Sequence, residues 1–292
     1  MRTPPHLLPA LVTPFTRSGD LDLDAHKHNL GVLTERGIKG FLIGGSTGEG
    51  PYLEPGERHA LVTAARQEPG KRSFLLAGVA AESIRVALAQ ADEAATAGAD
   101  AILVLTPTSL VRGNHAAVTA FITDVADAAA IPVFLYSVPA VTGYTLPVER
   151  AIELSRHPNI AGMKDSGGDP VPMARLVEDT ADGFALYTGA SKAVLLCVAV
   201  GARGAITASS NYLPALAGEV VAAARRSPRS ALPFQSQLTR ISAAVEAHRI
   251  PGVKAAAELV GLQPGFPRKP LRPLPGRHKK AIERVLREAG VV

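Results

Sequence analysis

The sequence SFLLAGVAAESIRVALAQADEAATAGADAILVLTP, residues 73–107, contains one complete strand–helix–strand unit. The apolar runs SFLLAGV and AILVLTP are short and end in small or turn-forming residues, which is typical of buried strands. In the segment between the two runs, apolar residues recur at intervals of three and four, which predicts a helix with one apolar face. That face consists of Ile84, Leu88, Ala91 and Ala95.

The same alternation continues on both sides of this unit. Further apolar runs, each with a stretch of helical spacing after it, are LLPALVT (7–13), GFLIGGS (40–46), PVFLYSV (132–138), IAGMKDS (160–166), FALYTGA (184–190) and GAITASS (204–210). Their nearly continuous apolar character predicts parallel strands that are buried on both faces. Eight such units favour a closed (β/α)8 TIM barrel over an open sheet.

The segment after the eighth predicted strand is too long for a single barrel helix. From Asn211 onward the sequence predicts helices, interrupted by SPRS, by IPG and by a proline-rich stretch that ends at Pro275. We therefore predict a barrel domain over residues 1–226 and a C-terminal helical extension over residues 227–292. Barrels of this kind commonly occupy ~200–250 residues as one domain.

Composition and the apolar segments argue against a disordered, secreted or membrane protein. Hydrophobic residues make up 47% of the chain, enough for a large core. The N-terminal MRTPPHLLPALVTPF contains early prolines and is a poor signal peptide, and no segment approaches the roughly 18 apolar residues of a membrane span. The single cysteine, Cys197, lies in the apolar run AVLLCVAV and is predicted to be a packing residue. We therefore expect a cytoplasmic protein.

The net charge of +5 does not indicate a nucleic-acid-binding protein. Its densest basic cluster, RKPLRPLPGRHKK, contains no aromatic residues on which bases could stack. A modest positive charge also attracts acidic metabolites. Histidines are scattered along the chain, so no grouped ligands for a divalent metal are expected.

In a barrel of this type, functional residues lie at the carboxyl ends of the strands. Lys164 is the only lysine that interrupts a predicted buried strand, IAGMKDS. A buried amine is costly to keep charged, and a neutral amine can condense with a ketone to give an electron-withdrawing iminium. The alternative is an ion pair with Asp165, although neighbours in a strand point to opposite faces.

Two other strand ends carry polar groups that suit such chemistry. Tyr136 ends PVFLYSV, and its phenol could shuttle protons, although a core tyrosine with a backbone partner is the alternative. GGSTGEG ends the second strand, where backbone N–H groups and the hydroxyls of Ser46 and Thr47 could bind a carboxylate. A tight turn that requires glycine is the alternative for this motif.

The motifs GGSTGEG, YSVPAVTG and GMKDSGGD, in this order, resemble the dihydrodipicolinate synthase / N-acetylneuraminate lyase family of class I aldolases. The resemblance extends from PALVTPF to IPGVKAAAEL. It implies that Lys164 forms a Schiff base, that Tyr136 shuttles protons, and that Ser46 and Thr47 bind the substrate carboxylate. It also implies that Ser166 lies near the distal part of the substrate. Gly189 and Ile206 match positions that line the pocket. The resemblance further implies a pyruvate-type 2-oxo acid substrate, no cofactor, and a homotetramer built as a dimer of dimers.

Within the family, the stretch from LYSVPAVTGYTLPVE to HPNIAGMKDSGGD looks most like the 4-hydroxy-2-oxoglutarate aldolases, which split their substrate into pyruvate and glyoxylate. Val141 stands where the synthases carry an arginine for the second substrate's carboxylate, which argues against synthase activity. Ser109 stands where the family often places a relay tyrosine. We therefore expect retro-aldol cleavage of 4-hydroxy-2-oxoglutarate. The alternatives are dihydrodipicolinate synthesis, another sugar-acid aldolase, or a non-catalytic barrel that binds a 2-oxo acid for regulation.

Overall fold

The computed structural model describes residues 2–67 and 71–292 and confirms the predicted barrel. The strands within these residues are β1 (Leu7–Pro9), β2 (Gly40–Ile43), β3 (Phe74–Val79), β4 (Ala101–Leu105), β5 (Val133–Ser137), β6 (Ile160–Asp165), β7 (Ala185–Thr188) and β8 (Gly204–Thr207). They form one sheet in the order β1-β8-β7-β6-β5-β4-β3-β2, and all pairs are parallel.

The sheet closes between β1 and β2. Ala10, just after β1, forms a parallel bridge with Leu42 of β2. The backbone N–H of Leu11 donates to the carbonyl of Leu42 at 2.9 Å. Because β1 also pairs with β8, no strand edge is left open at this seam.

Each strand buries both faces, as the continuous apolar runs predicted. In β4, Ala101, Leu103 and Leu105 belong to the cluster that fills the barrel interior. Ile102 and Val104 belong to the larger cluster between the sheet and the surrounding helices. This alternation follows from the strand pleat, and it means that odd and even positions of a strand meet different parts of the core.

Helices surround the barrel and extend beyond it. Within the described residues they are α1 (Leu23–Glu35), α2 (Glu57–Arg66), α3 (Ile84–Thr96), α4 (His115–Ala128), α5 (Pro139–Thr142), α6 (Val148–Ser155), α7 (Pro170–Asp179), α8 (Val194–Ala199), α9 (Pro214–Arg226), α10 (Pro228–Glu246), α11 (Arg249–Leu259) and α12 (Gly276–Glu288). None of these helices combines the length and the apolar character that crossing a membrane requires.

The buried face of α3 differs slightly from the predicted one. Its fully buried side chains are Ala87, Ala91 and Ala94, whereas Leu88 and Ala95 are only partly buried. The face is therefore rotated, because small alanines allow the helix to approach the barrel more closely than leucine would. The Ser83 side chain caps the start of the helix by accepting a hydrogen bond from the Val86 N–H.

The C-terminal helices share a core with the barrel helices. Leu238 and Ile241 of α10 lie in one buried cluster with Val220 of α9 and Ile282 of α12. The predicted interruption at SPRS is a single residue between α9 and α10, and IPG lies in the first turn of α11, where proline is tolerated. The division into units 1–226 and 227–292 stays a prediction.

Candidate active site

Lys164 and Tyr136 lie side by side at the carboxyl ends of β6 and β5, where their Cα atoms are paired in register. Both are buried, with 3% and 4% of their surface exposed. The Lys164 Nζ donates a hydrogen bond to the Tyr136 hydroxyl at 3.1 Å and lies 4.4 Å from the ring centroid. The amine is therefore held against a group that can exchange a proton with it.

Lys164 forms no ion pair with any residue in the described part of the chain. The carboxylate of Asp165 is engaged elsewhere: it accepts hydrogen bonds from the Gly167 N–H at 3.2 Å and from the Ser137 hydroxyl. Burial raises the pKa of Asp165, and these hydrogen bonds oppose that shift only in part. The alternative interpretation, a Lys164–Asp165 ion pair, is wrong.

Three polar side chains surround the Tyr136 hydroxyl. Lys164 is hydrogen-bonded to it, and the hydroxyls of Ser46, from the turn after β2, and Ser166, from the turn after β6, lie close enough to lower its pKa. Burial alone would raise the pKa of Tyr136, but the charge of Lys164 and the polar interactions with Ser46, Lys164 and Ser166 lower it overall. The phenol is thus oriented and made easier to deprotonate.

Gly189 follows β7 and leaves the space that two of these side chains occupy. A Cβ at this position would lie 2.0 Å from Ser166 Oγ and 2.8 Å from Lys164 Cε. The Gly189 N–H donates to the carbonyl of Asp165 at 2.6 Å, which fixes the turn after β7 against β6. Lys164 and Ser166 therefore lie on the same side, as their two-residue spacing predicts.

Ile206 and Thr47 adjoin this group less directly. Ile206 is 1% exposed and belongs to the barrel-interior cluster that also contains Tyr136 and Tyr187. Thr47 is partly exposed and follows Ser46 in the turn after β2, but the hydroxyl that helps to lower the Tyr136 pKa is that of Ser46. A partly exposed threonine at this turn remains accessible to a ligand.

The GGSTGEG turn after β2 is tightly packed. A Cβ on Gly50 would lie 1.9 Å from the carbonyl oxygen of Gly44, and a Cβ on Gly78 of β3 would lie 2.3 Å from the same oxygen. Glu49 has φ of 59°, in the left-handed region that residues other than glycine rarely adopt. The glycines are therefore required by close backbone contacts, and the turn that presents Ser46 has a fixed shape.

Ser109, at the position of the family's relay tyrosine, is held by Glu82. The Ser109 hydroxyl and N–H donate to the Glu82 carboxylate at 2.6 and 3.1 Å, and the Thr108 hydroxyl and N–H donate to the same group. Burial alone would raise the pKa of Glu82, but these hydrogen bonds lower it below its ordinary value. The loop after β4 is thus pinned by a carboxylate.

Val141 lies in α5, and its side chain is 52% exposed. Arg112 lies beside Gly143, the residue that follows α5: its Nη1 would be 3.2 Å from a Cβ added at Gly143. Within residues 2–67 and 71–292, the Arg112 guanidinium has no hydrogen-bond or ion-pair partner. A guanidinium therefore lies beside Gly143, two residues after the apolar Val141.

Comparison with known proteins gives consistent matches over the whole chain. The model of the "Dihydrodipicolinate synthetase family" matches residues 4–289. A 4-hydroxy-tetrahydrodipicolinate synthase of Exiguobacterium sibiricum is 35% identical over 97% of both chains. One of Methanosarcina mazei is 32% identical over 98% of both. The crystal structure of the chloride-inhibited dihydrodipicolinate synthase of Acinetobacter baumannii, complexed with pyruvate, superposes with a TM-score of 0.94 at 27% identity, covering 99% of this chain and 100% of that one.

The barrel and these matches define a carbon–carbon lyase of the class I aldolase type, which works through a lysine Schiff base. The chain belongs to the dihydrodipicolinate synthetase family. This confirms the resemblance seen in GGSTGEG, YSVPAVTG and GMKDSGGD. The alternative of a non-catalytic regulatory barrel is not supported.

Sequence reasoning missed three residues at or near the site. These are Glu82, Arg112 and Lys254, none of which the strand and helix patterns single out. Only Lys254 had a sequence signal, because it stands in the small, apolar run GVKAAA, where an exposed helix face would show polar neighbours. The contacts of the other two depend on how separate loops come together.

Proposed function

We propose that Lys164 forms the Schiff base and that the 2-oxo acid is pyruvate. The observation that carries this proposal is the buried Lys164 Nζ, 3.1 Å from the Tyr136 hydroxyl and without a carboxylate partner among the described residues. A buried amine free of an ion pair is available as a nucleophile. The pyruvate bound to the Acinetobacter baumannii relative supports the choice of substrate.

The chemistry begins when the Lys164 amine, once it has lost a proton, attacks C2 of pyruvate and gives a carbinolamine. Tyr136 transfers one proton from the nitrogen to the former carbonyl oxygen, and a second proton, taken up from solvent, lets the resulting hydroxyl leave as water. The resulting iminium draws electrons from C3, so loss of a C3 proton gives an enamine. The enamine carbon then attacks an aldehyde, and hydrolysis of the product iminium restores the lysine.

The surrounding residues divide between the two ends of the substrate. Ser46, Thr47 and the backbone N–H groups of their turn would bind the pyruvate carboxylate. Ser166 would face the aldehyde component, since it lies on the Lys164 side of β6 beside Gly189. Because Ser46 and Ser166 also contact Tyr136, their hydroxyls can extend its proton path.

For the aldehyde component we propose aspartate semialdehyde, that is, 4-hydroxy-tetrahydrodipicolinate synthesis. Whole-length similarity to synthases of two distant organisms supports this reaction over the retro-aldol cleavage expected from the sequence. The apolar Val141 is the objection to it. Arg112 answers that objection, because its guanidinium has no partner among the described residues, lies beside Gly143 two residues after Val141, and could pair with the aldehyde's carboxylate.

Retro-aldol cleavage of 4-hydroxy-2-oxoglutarate is the second candidate, favoured by the absence of a charge at Val141 itself. Purified protein should be assayed for both reactions under the same conditions. A higher kcat/KM for condensation of pyruvate with aspartate semialdehyde supports the synthase. A higher kcat/KM for cleavage to pyruvate and glyoxylate would overturn the synthase proposal and support the aldolase.

A further inference from the structure

Lys254 is a buried lysine that takes no part in the chemistry proposed above. It lies in α11, among the C-terminal helices, and only 3% of its surface is exposed. Its Nζ contacts three acceptors: Glu49 Oε1 at 2.6 Å, the carbonyl of Thr13 at 2.8 Å and the carbonyl of Phe266 at 2.7 Å. Burying an ammonium group is unfavourable unless such partners surround it, so the arrangement is specific.

Glu49 connects this lysine to the turn that presents Ser46 and Thr47. It follows them after one residue, and both its carboxylate oxygens are engaged, one by Lys254 and the other by the Arg268 N–H at 2.8 Å. Its left-handed backbone, with φ of 59°, is unfavourable for a residue with a side chain. A conformation of this kind persists only where surrounding contacts enforce it.

Thr13 adds a second connection to the same turn. Its hydroxyl donates to the carbonyl of Gly48 at 2.6 Å, while its own carbonyl accepts from Lys254. A Cβ on Gly48 would lie 2.7 Å from the carbonyl of Leu11, so the turn already sits closely against the segment after β1. Lys254 therefore holds the turn through a side chain on one side and through the Thr13 backbone on the other.

We propose that Lys254 is a positioning residue: through Glu49 and Thr13 it fixes the turn whose Ser46 and Thr47 bind the substrate carboxylate. The C-terminal helices thus set the affinity for the 2-oxo acid, although none of their residues needs to touch it. This inference rests on the proposed role of Ser46 and Thr47.

The test measures how the borohydride-trapped lysine adduct depends on ligand concentration. Pyruvate carries a carboxylate, whereas acetone offers the same ketone without one. In Lys254→Met, we expect the half-saturating concentration of pyruvate to rise about tenfold, while trapping with acetone stays as in the wild type. Loss of a residue that only stabilises the fold would change trapping with pyruvate and with acetone alike.

Lys254→Met leaves the Glu49 carboxylate buried without its partner, which could prevent folding. The double variant Glu49→Gln, Lys254→Met removes both charges, so no unpaired carboxylate stays buried. We expect it to fold with a melting temperature closer to the wild type and to retain the raised half-saturation for pyruvate.

Arg66→Met is the matched control. Arg66 pairs with Asp100 at 2.7 Å and also bonds backbone carbonyls, but at the amino-terminal ends of β3 and β4, away from the turn. It should lower the melting temperature and leave pyruvate half-saturation unchanged. Wild-type half-saturation in the folded double variant, or an equal change with pyruvate and acetone, overturns the proposal. A wild-type protein that traps no pyruvate contradicts the proposed function instead.

Discussion

The Ser166 hydroxyl occupies the space that a side chain at Gly189 would need: an added Cβ would lie 2.0 Å from Ser166 Oγ. The same Cβ would lie 2.8 Å from Lys164 Cε. Gly189 is therefore required by the two side chains that it adjoins, and not by an unusual backbone conformation.

Gly189→Ala should lower kcat by at least about tenfold, because displacing Lys164 from Tyr136 disturbs the geometry that proton transfer needs. Steady-state kinetics and the rate of borohydride trapping both report this change. The control is Gly218→Ala in α9, where the nearest atom to a new Cβ is 3.9 Å away. Normal kinetics in Gly189→Ala would show that the turn after β7 yields without moving the lysine.

Tyr136→Phe should slow both adduct formation and turnover by about a hundredfold, within the range typical of a lost general acid–base group. Tyr187→Phe is a matched control, because Tyr187 pairs in register with Lys164 on its other side and is also buried. The Tyr187 hydroxyl bonds the carbonyl of Pro5 at 2.8 Å and not the lysine. Its loss should reduce stability by about 1 kcal/mol and leave the rates nearly unchanged. Equal rates in the two variants would remove Tyr136 from the mechanism.

Arg112→Ala should raise KM for aspartate semialdehyde without changing pyruvate trapping. A charge-assisted hydrogen bond contributes roughly 1.5–3 kcal/mol, so its loss should raise this KM about ten- to a hundredfold. Adding Val141→Arg should restore condensation, since it supplies a guanidinium from the neighbouring position. If Arg112→Ala has no effect and Val141→Arg alone increases condensation, the carboxylate of aspartate semialdehyde has no cationic partner in the wild-type protein, and the proposed role of Arg112 is wrong.

Stability should fall as the pH decreases from about 6.5 to about 4, because of His26. Burial lowers the pKa of His26 from 6.5 to about 4 in the folded protein, and its Nδ1 has no hydrogen-bond partner among the described residues. The unfolded chain therefore binds more protons than the folded one in this range, so acid favours unfolding. The folded protein should lose about 2 kcal/mol between pH 7 and pH 5 from this group.

Urea unfolding at pH 7 and pH 5 measures this effect. His26→Leu cannot titrate and should show a smaller difference between the two pH values, even if the lost hydrogen bond to the Leu61 carbonyl lowers its stability at both. The same pH dependence in the variant and the wild type would assign the acid sensitivity to other groups.

The sequence was most informative where one residue contradicted its surroundings. A lysine in IAGMKDS is conspicuous because strands buried on both faces are apolar, and the strand ends followed from the short apolar runs. Lys254 was missed because a lysine on a helix normally faces solvent, and its partner Glu49 lies far away in the chain. The α3 face was misplaced because alanine periodicity does not reveal which small side chains approach the barrel most closely.

Contacts between loops were also beyond sequence reasoning. The pairing of Ser109 with Glu82 and the approach of Arg112 to Gly143 depend on the relative positions of turns after different strands. The expectation that Val141 excludes synthase activity considered only one position in the chain, whereas a charge can reach the same place from another loop. The homotetramer and the cytoplasmic location stay predictions from the family resemblance and the composition.

The most direct measurement is to incubate the protein with pyruvate, reduce with borohydride, and map the modified peptide by mass spectrometry. The account predicts one adduct per chain, on Lys164, and none in Lys164→Arg with Lys254 and the other lysines intact. An adduct on a different lysine, or unmodified protein at saturating pyruvate, would contradict it.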